Sequence, residues 1–331
     1  MRESEIQDLM RSLPALPAPQ LVETHISWVI LAGDFAWKIK KPLTFSFFDA
    51  STPELRQDLC RRELLLNQSL AASLYIGLEE IRSLGGSICF GGDSGEVIDV
   101  AVKMHRMKPG SQMDEMLIRG LVRPEHIKAL ALRLATFHKE AKISYDPVNL
   151  GSVRQTFNDL SSVGNYVAKW LGSGAQSTLK QAIAVSDNFL LRSGTQLQQR
   201  SLAGFQRLGH GDLHAGNVFF TPDPLIYDCI EFDDELRKAD VLSELAFVCM
   251  ELDFYQQPRL ESIFLRYYLS SFPCMGEEDT DIFRYYKLCR ANVRAKVKLL
   301  RHQQHQKAED LAAAAHYFAL MQTYVQQLQP A

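Results

Sequence analysis

Several absences narrow this 331-residue sequence first. Its six cysteines (Cys60, Cys89, Cys229, Cys249, Cys274 and Cys289) contain no C-x-x-C pair, which argues for reduced thiols and against a zinc site or disulfide framework. Neither sign of charge dominates. The 36 Lys and Arg against 39 Asp and Glu leave a net charge of −3, no global footprint for nucleic acid or an anionic membrane surface. The opening stretch, Met1-Arg-Glu-Ser-Glu-Ile-Gln-Asp8, has no apolar targeting core, and no later run reaches the length of a membrane span. A soluble, cytoplasmic chain is expected, with neither nucleic acid nor membrane as partner. Internal repeats are missing, and so are both glycine-rich phosphate loops, G-x-x-x-x-G-K-[ST] and G-x-G-x-x-G. At 46% hydrophobic, the chain can bury a substantial core and is longer than a usual single domain, so two lobes are expected.

What is present centres on Leu208-Gly-His-Gly-Asp-Leu-His-Ala-Gly-Asn-Val-Phe-Phe220, a glycine-broken polar loop running into an apolar strand. Asp212 and Asn217 stand in the register of the Asp and Asn of the H-R-D-L-x-x-x-N loop, with Gly211 replacing the Arg. That spacing suits phosphoryl transfer, in which a carboxylate orients a hydroxyl and accepts its proton while a nearby amide oxygen holds a magnesium ion. The loop closely resembles that of the aminoglycoside phosphotransferase family (choline kinase type), which reads His-Gly-Asp-x-His-x-x-Asn. The resemblance runs over about residues 20 to 305. It implies an α+β, bilobal, eukaryotic-like protein kinase fold, with a small β-rich lobe at residues 1–106 and a larger helical lobe at 107–331. In detail the chain is similar to the phosphotransferase half of bacterial proteins often fused to a P-loop kinase domain, and lacking that motif it is expected to be the stand-alone half.

The same resemblance implies roles along the chain. Ala36-Trp37-Lys38 mirrors the end of the V-A-I-K strand, whose lysine bridges nucleotide phosphates. Lys40, two residues on, shares its face, so periodicity leaves the choice between the two open. Glu63, in a helix opened by Thr52-Pro53-Glu54, is the expected partner of Lys38. After the loop, Pro224-Leu-Ile-Tyr-Asp-Cys-Ile-Glu-Phe-Asp-Asp234 offers Asp228, slightly preferred, and Glu231 as magnesium ligands with Asn217. His210 is expected to brace the loop around Asp212. Asp240 is expected to cap the next helix. ATP and Mg2+ are the implied cofactors, and a hydroxyl of a small molecule is the implied acceptor.

Other features read as ordinary structure. The turn Glu23-Thr-His-Ile-Ser27 would have to replace the missing glycine loop through hydroxyls or amides. Backbone near Lys103 to Met107 is placed to meet adenine. His138 reads as a structural residue at a helix C-terminus, Asp233 and Asp234 as solvated acids, and the stripe Arg290, Arg294 and Lys298 as a solvated helix face. Two rivals stand: a protein kinase, disfavoured by Gly211 and the missing glycine loop and A-P-E element, and a non-catalytic nucleotide-binding module, disfavoured by an intact Lys38, Asp212 and Asn217.

Overall fold

A computed structural model describes residues 1–13, 18–45 and 48–329. In chain order the elements are α1 (Glu3–Ser12), β1 (Gln20–Glu23), β2 (Ser27–Ala32), β3 (Phe35–Lys40), β4 (Thr44–Phe45), β5 (Phe48–Asp49), α2 (Pro53–Ala71), β6 (Tyr75–Leu84), β7 (Ser87–Phe90), β8 (Glu96–His105), α3 (Met113–Ile118), α4 (Pro124–Glu140), α5 (Leu150–Asn158) and α6 (Gly164–Leu202). Then come β9 (Gln206–Leu208), β10 (Val218–Phe220), β11 (Pro224–Ile226), α7 (Asp234–Arg237), β12 (Lys238–Asp240), α8 (Val241–Phe254), α9 (Pro258–Ser271), α10 (Thr280–His305) and α11 (Ala308–Leu328). None of the described helices is long and apolar enough to cross a membrane. All six cysteines are free.

Two compact units emerge: Met1–Arg119 with Gly216–Arg237, and Gly120–Ala215 with Lys238–Ala331. The border thus differs from a single break after residue 106. Packing explains it: Gln112 bridges to Phe219, the Phe220 amide donates to the Ser111 carbonyl, and Leu225 enters the core of the first unit.

The first unit is built on a six-stranded sheet in the order β1-β2-β3-β8-β6-β7, its pairs antiparallel. Side chains alternate between its two faces, and β3 carries a different chemistry on each. Trp37 and Ile39 join Trp28, Ile30 and the α1 residues Ile6 and Leu9 on one face. Ala36 packs on the other with Cys60 of α2. Lys38 and Lys40 share the parity of Ala36, so both ammoniums are carried to the α2 face.

Helix α2 begins as its sequence dictates. The Thr52 hydroxyl accepts from the Leu55 amide at 3.3 Å, and Pro53 takes the first helical position, where its missing N–H is harmless. Buried Arg56 then ties the first turn to β8: its guanidinium meets Asp99 at 2.7 and 2.9 Å and the Ala50 carbonyl at 2.9 Å.

The second unit is helical. In α8 the residues from Val241 through Leu252 are buried, so its two glutamates, Glu244 and Glu251, lie in the interior and require partners. Asp240 caps α8 as expected, accepting from the Leu242 amide at 2.9 Å, and Arg200 grips the same carboxylate at 2.6 and 2.9 Å.

Ile39 sits between the two lysines in sequence and is fully buried on the opposite face. Ile39→Ala is therefore expected to lower stability by about 2–4 kcal/mol in urea unfolding. A loss below about 1 kcal/mol would show that this face is not tightly packed.

Candidate functional site

In the first unit five charged groups form a continuous chain. The Lys38 ammonium donates to Glu63 Oε1 at 2.8 Å and to Asp228; the Lys40 ammonium donates to Glu63 Oε2 at 2.5 Å and to Glu231. Glu63 and Lys40 are 0% exposed, Glu231 2% and Lys38 8%. Asp228 differs, with a side chain 42% exposed. Burial alone would discharge the lysines, but Asp228 and Glu63 beside Lys38, and Glu231 and Glu63 beside Lys40, outweigh it and raise both ammonium pKa values. Burial likewise opposes the charge on Glu63, yet two ammoniums hold its carboxyl below the ordinary range. Glu231, deeply buried beside a single ammonium, is pushed up.

Asp228 is held in the left-handed region, φ 64°, which Asp tolerates better than most non-glycine residues. The surrounding contacts enforce this. Its amide donates to the Tyr75 hydroxyl at 3.4 Å, and the Cys229 amide donates to Asn67 Oδ1 at 3.0 Å. Asn67 in turn donates to the Glu63 carbonyl one helical turn back at 2.8 Å. The pairing of β10 with β11 brings in Asn217: Val218 faces Ile226, and the Tyr227 amide donates to the Asn217 carbonyl at 3.1 Å. Asn217, itself buried, thus stands opposite the residue that precedes Asp228.

In the second unit the loop from Gly209 to Ala215 is fastened by α8 and α10. Glu244 accepts from the Gly211 amide at 2.6 Å and hydrogen-bonds His138 Nε2 at 2.7 Å, while His138 Nδ1 meets the Tyr268 hydroxyl at 2.6 Å. Burial raises the Glu244 pKa, but His138, His210 and the Gly211 amide overcome it and hold the carboxyl down at about 2. A Cβ at position 209 would lie 2.6 Å from Glu244 Oε1, and Gly211 has φ 89°, so each glycine has its own reason. His210 is fully buried, and its Nδ1 accepts from the Asp212 amide at 3.3 Å, tying the loop to itself. Asp212 keeps a side chain 43% exposed, 3.6 Å from His214 Nε2. Burial and Arg294 lower the His214 pKa to about 4 against the pull of Asp212 and Glu251, so this imidazole is neutral near pH 7. Glu251 accepts from the Ala215 amide at 3.3 Å and from the Tyr317 hydroxyl at 2.8 Å.

Several expectations change. The stripe on α10 is not a solvated face: Arg290 donates to the Gly211 carbonyl at 3.2 Å and to Ser243 Oγ at 3.0 Å, Arg294 pairs with Glu251 at 3.5 Å, and Lys298 pairs with Asp310 at 3.1 Å. His138 is structural, but as an internal bridge and not as a cap. Asp234, although exposed, meets Arg62 at 2.9 Å and Arg237 at 3.1 Å. In the turn expected to replace a glycine loop, the Thr24 hydroxyl accepts from the Ser27 amide at 2.9 Å and so is engaged internally. The amides of His105 and Arg106 already donate to the carbonyls of Leu74 and Asp34. Sequence reasoning missed Glu244, Asn67 and Tyr75. Asn67 had left a trace, a polar residue one helical turn after Glu63, just past Leu64-Leu65-Leu66.

The architecture is that of kinase-like α+β proteins. Choline kinase from Cryptosporidium parvum matches with a TM-score of 0.56 at 13% identity, over 98% of this chain and 96% of that one. The GDP complex of aminoglycoside 2'-phosphotransferase-IIIa matches with a TM-score of 0.55 at 15% identity, over 97% and 98%. The family profile described as phosphotransferase enzyme family covers residues 94–280, and the chain belongs to that family. An uncharacterized protein of Mycobacterium tuberculosis is 30% identical over 312 residues, which span 92% of this chain and 59% of that relative.

Glu244 generates a pH prediction. Its folded pKa of about 2 lies below the usual 4.5, so its stabilising contribution is complete above about pH 4.5 and fades as pH falls toward 2. Glu244→Gln is expected to lower the melting temperature at pH 7, and the gap to wild type should narrow between pH 4.5 and 2. A gap that does not vary with pH would show that the carboxylate charge is not what matters.

Proposed function

We propose that the chain is an ATP-dependent phosphotransferase that moves the γ-phosphate to a hydroxyl of a small molecule. The observation that carries this reading is Lys38, buried yet charged, shared between Glu63 on a helix and the partly exposed Asp228, as phosphate gripping requires. Family membership supports it, as do fold neighbours that include an aminopropanol kinase and a choline kinase, proteins named for small alcohol substrates.

Each residue has a role in this proposal. Lys38, held by Glu63, binds the nucleotide phosphates. Asp228 and Asn217 supply hard oxygen donors of the kind magnesium takes together with phosphate and water. Among the described residues no three His, Cys, Asp or Glu side chains form a ready cage, which suits an ion completed by the nucleotide and not one held by protein alone. Magnesium, when bound, neutralises phosphate charge. Asp228 is preferred over Glu231 because its carboxylate is accessible, whereas that of Glu231 is buried against Lys40. Asp212 orients the acceptor hydroxyl and takes its proton, with His210 and Glu244 fixing the backbone around it. A neutral His214 places no competing positive charge beside Asp212.

The test is incubation of the purified chain with Mg·ATP and fractionated metabolites, read by mass spectrometry for phosphorylated products. Asp212→Asn is expected to lower kcat by about 10²–10⁴-fold with nucleotide affinity retained. Lys38→Met should chiefly weaken nucleotide binding. Turnover by Asp212→Asn at the wild-type rate would refute the assignment.

A further inference from the structure

Lys40 is buried too deeply to be an ordinary surface lysine, and the role proposed for Lys38 leaves it unexplained. It is 0% exposed and donates to one oxygen of Glu63 while Lys38 takes the other. Its second partner, Glu231, lies three residues after Asp228 and is itself 2% exposed. Helix α2, strand β3 and the segment from Asp228 to Glu231 therefore converge on a single carboxylate. The charges do not balance: three carboxylates face two ammoniums. Lys40 and Glu231 close the buried end, and Asp228 is the accessible member of the set.

Resting on the phosphotransferase reading above, we propose that Lys40 and Glu231 are positioning residues: they turn one Glu63 oxygen toward Lys38 and anchor the Asp228 segment to the same point. Without Lys40, both oxygens of Glu63 become available to Lys38 and the ammonium shifts. Without Glu231, Lys40 has only Glu63 as a carboxylate partner, and the segment carrying Asp228 loses its inner tether. Neither residue touches the nucleotide in this scheme.

A buried pair kept only for stability predicts something different. Replacing such a pair by apolar residues of similar volume is often neutral or stabilising. The informative variant is therefore Lys40→Met/Glu231→Leu, compared with wild type, with Lys38→Met and with the triple variant. Melting temperature and the Kd for Mg·ATP by calorimetry are measured on each, and slow transfer of phosphate to water reports turnover without an identified acceptor. The double variant is expected to melt within about 4 °C of wild type yet bind Mg·ATP about 10–100-fold more weakly, the usual effect of losing an outer-shell partner. In the Lys38→Met background the same two changes should weaken binding by clearly less than they do in wild type, because part of their effect passes through Lys38. Wild-type affinity in the double variant, or losses that multiply in the triple variant, would overturn the positioning role while leaving the phosphotransferase reading intact. Should the double variant not fold, Glu231→Gln alone must show the same non-additivity with Lys38→Met, and multiplicative losses there overturn the role equally. Wild-type protein that binds no Mg·ATP would overturn both.

Discussion

One carboxylate, Glu63, sets most of the geometry in the first unit. Fully buried and ionised between two ammoniums, it cannot move without leaving a charge unpaired in a low-dielectric interior, where such a group is costly. Three independent pieces of chain must agree for it to be satisfied. The Thr52–Pro53 start sets the phase of α2 and hence the direction in which Glu63 points. The strand period of β3 puts Lys38 and Lys40 on one face. The turn after β11, fastened through Asn67 and Tyr75, delivers Asp228 and Glu231.

The parts of this arrangement legible in the sequence are those governed by local rules. A Thr-Pro helix start, alternation along β3 and the His-Gly-Asp loop each have short-range signatures, and α2 does begin at Pro53. The choice between Lys38 and Lys40 was not legible, because both share a strand face and only their different partners, 190 and 191 residues away, separate them. The same reason hid Glu244. Its partners are 33 and 106 residues distant, and in sequence nothing sets it apart from the other acids of a largely apolar helix. The arginine stripe on α10 misled in the opposite direction: helical spacing does identify a shared face, but only tertiary packing decides whether that face meets water or the Gly211 carbonyl and Glu251.

The second unit repeats the principle with a different carboxylate. Glu244 is one of two glutamates buried in the largely apolar α8 and offers one oxygen to the loop amide at Gly211 and the other to His138. Glycine at 209 lets the carboxylate approach, and glycine at 211 permits the positive φ that presents that amide. Loop shape is thus written partly in the loop and partly in α8. Arg290 adds the complementary contact, donating to the Gly211 carbonyl, so that both polar groups of this one peptide residue are bound from helices distant in sequence.

Buried ion pairs are poor stabilisers, because desolvation offsets much of their mutual attraction. Apolar residues of similar volume in place of a complete buried pair are often neutral or stabilising. What an apolar core cannot do is specify direction. Packing tolerates rotation of side chains of similar volume, whereas a carboxylate shared by two ammoniums has one satisfactory orientation. The left-handed backbone at Asp228 fits the same logic, since a conformation costing on the order of 1 kcal/mol persists only where surrounding contacts over-determine it. Tyr75, Asn67, Lys38 and, through Glu231, Lys40 are those contacts. At this site the shared carboxylate fixes the direction of one accessible carboxylate and one ammonium, the two groups that the proposed function assigns to the metal ion and the polyphosphate.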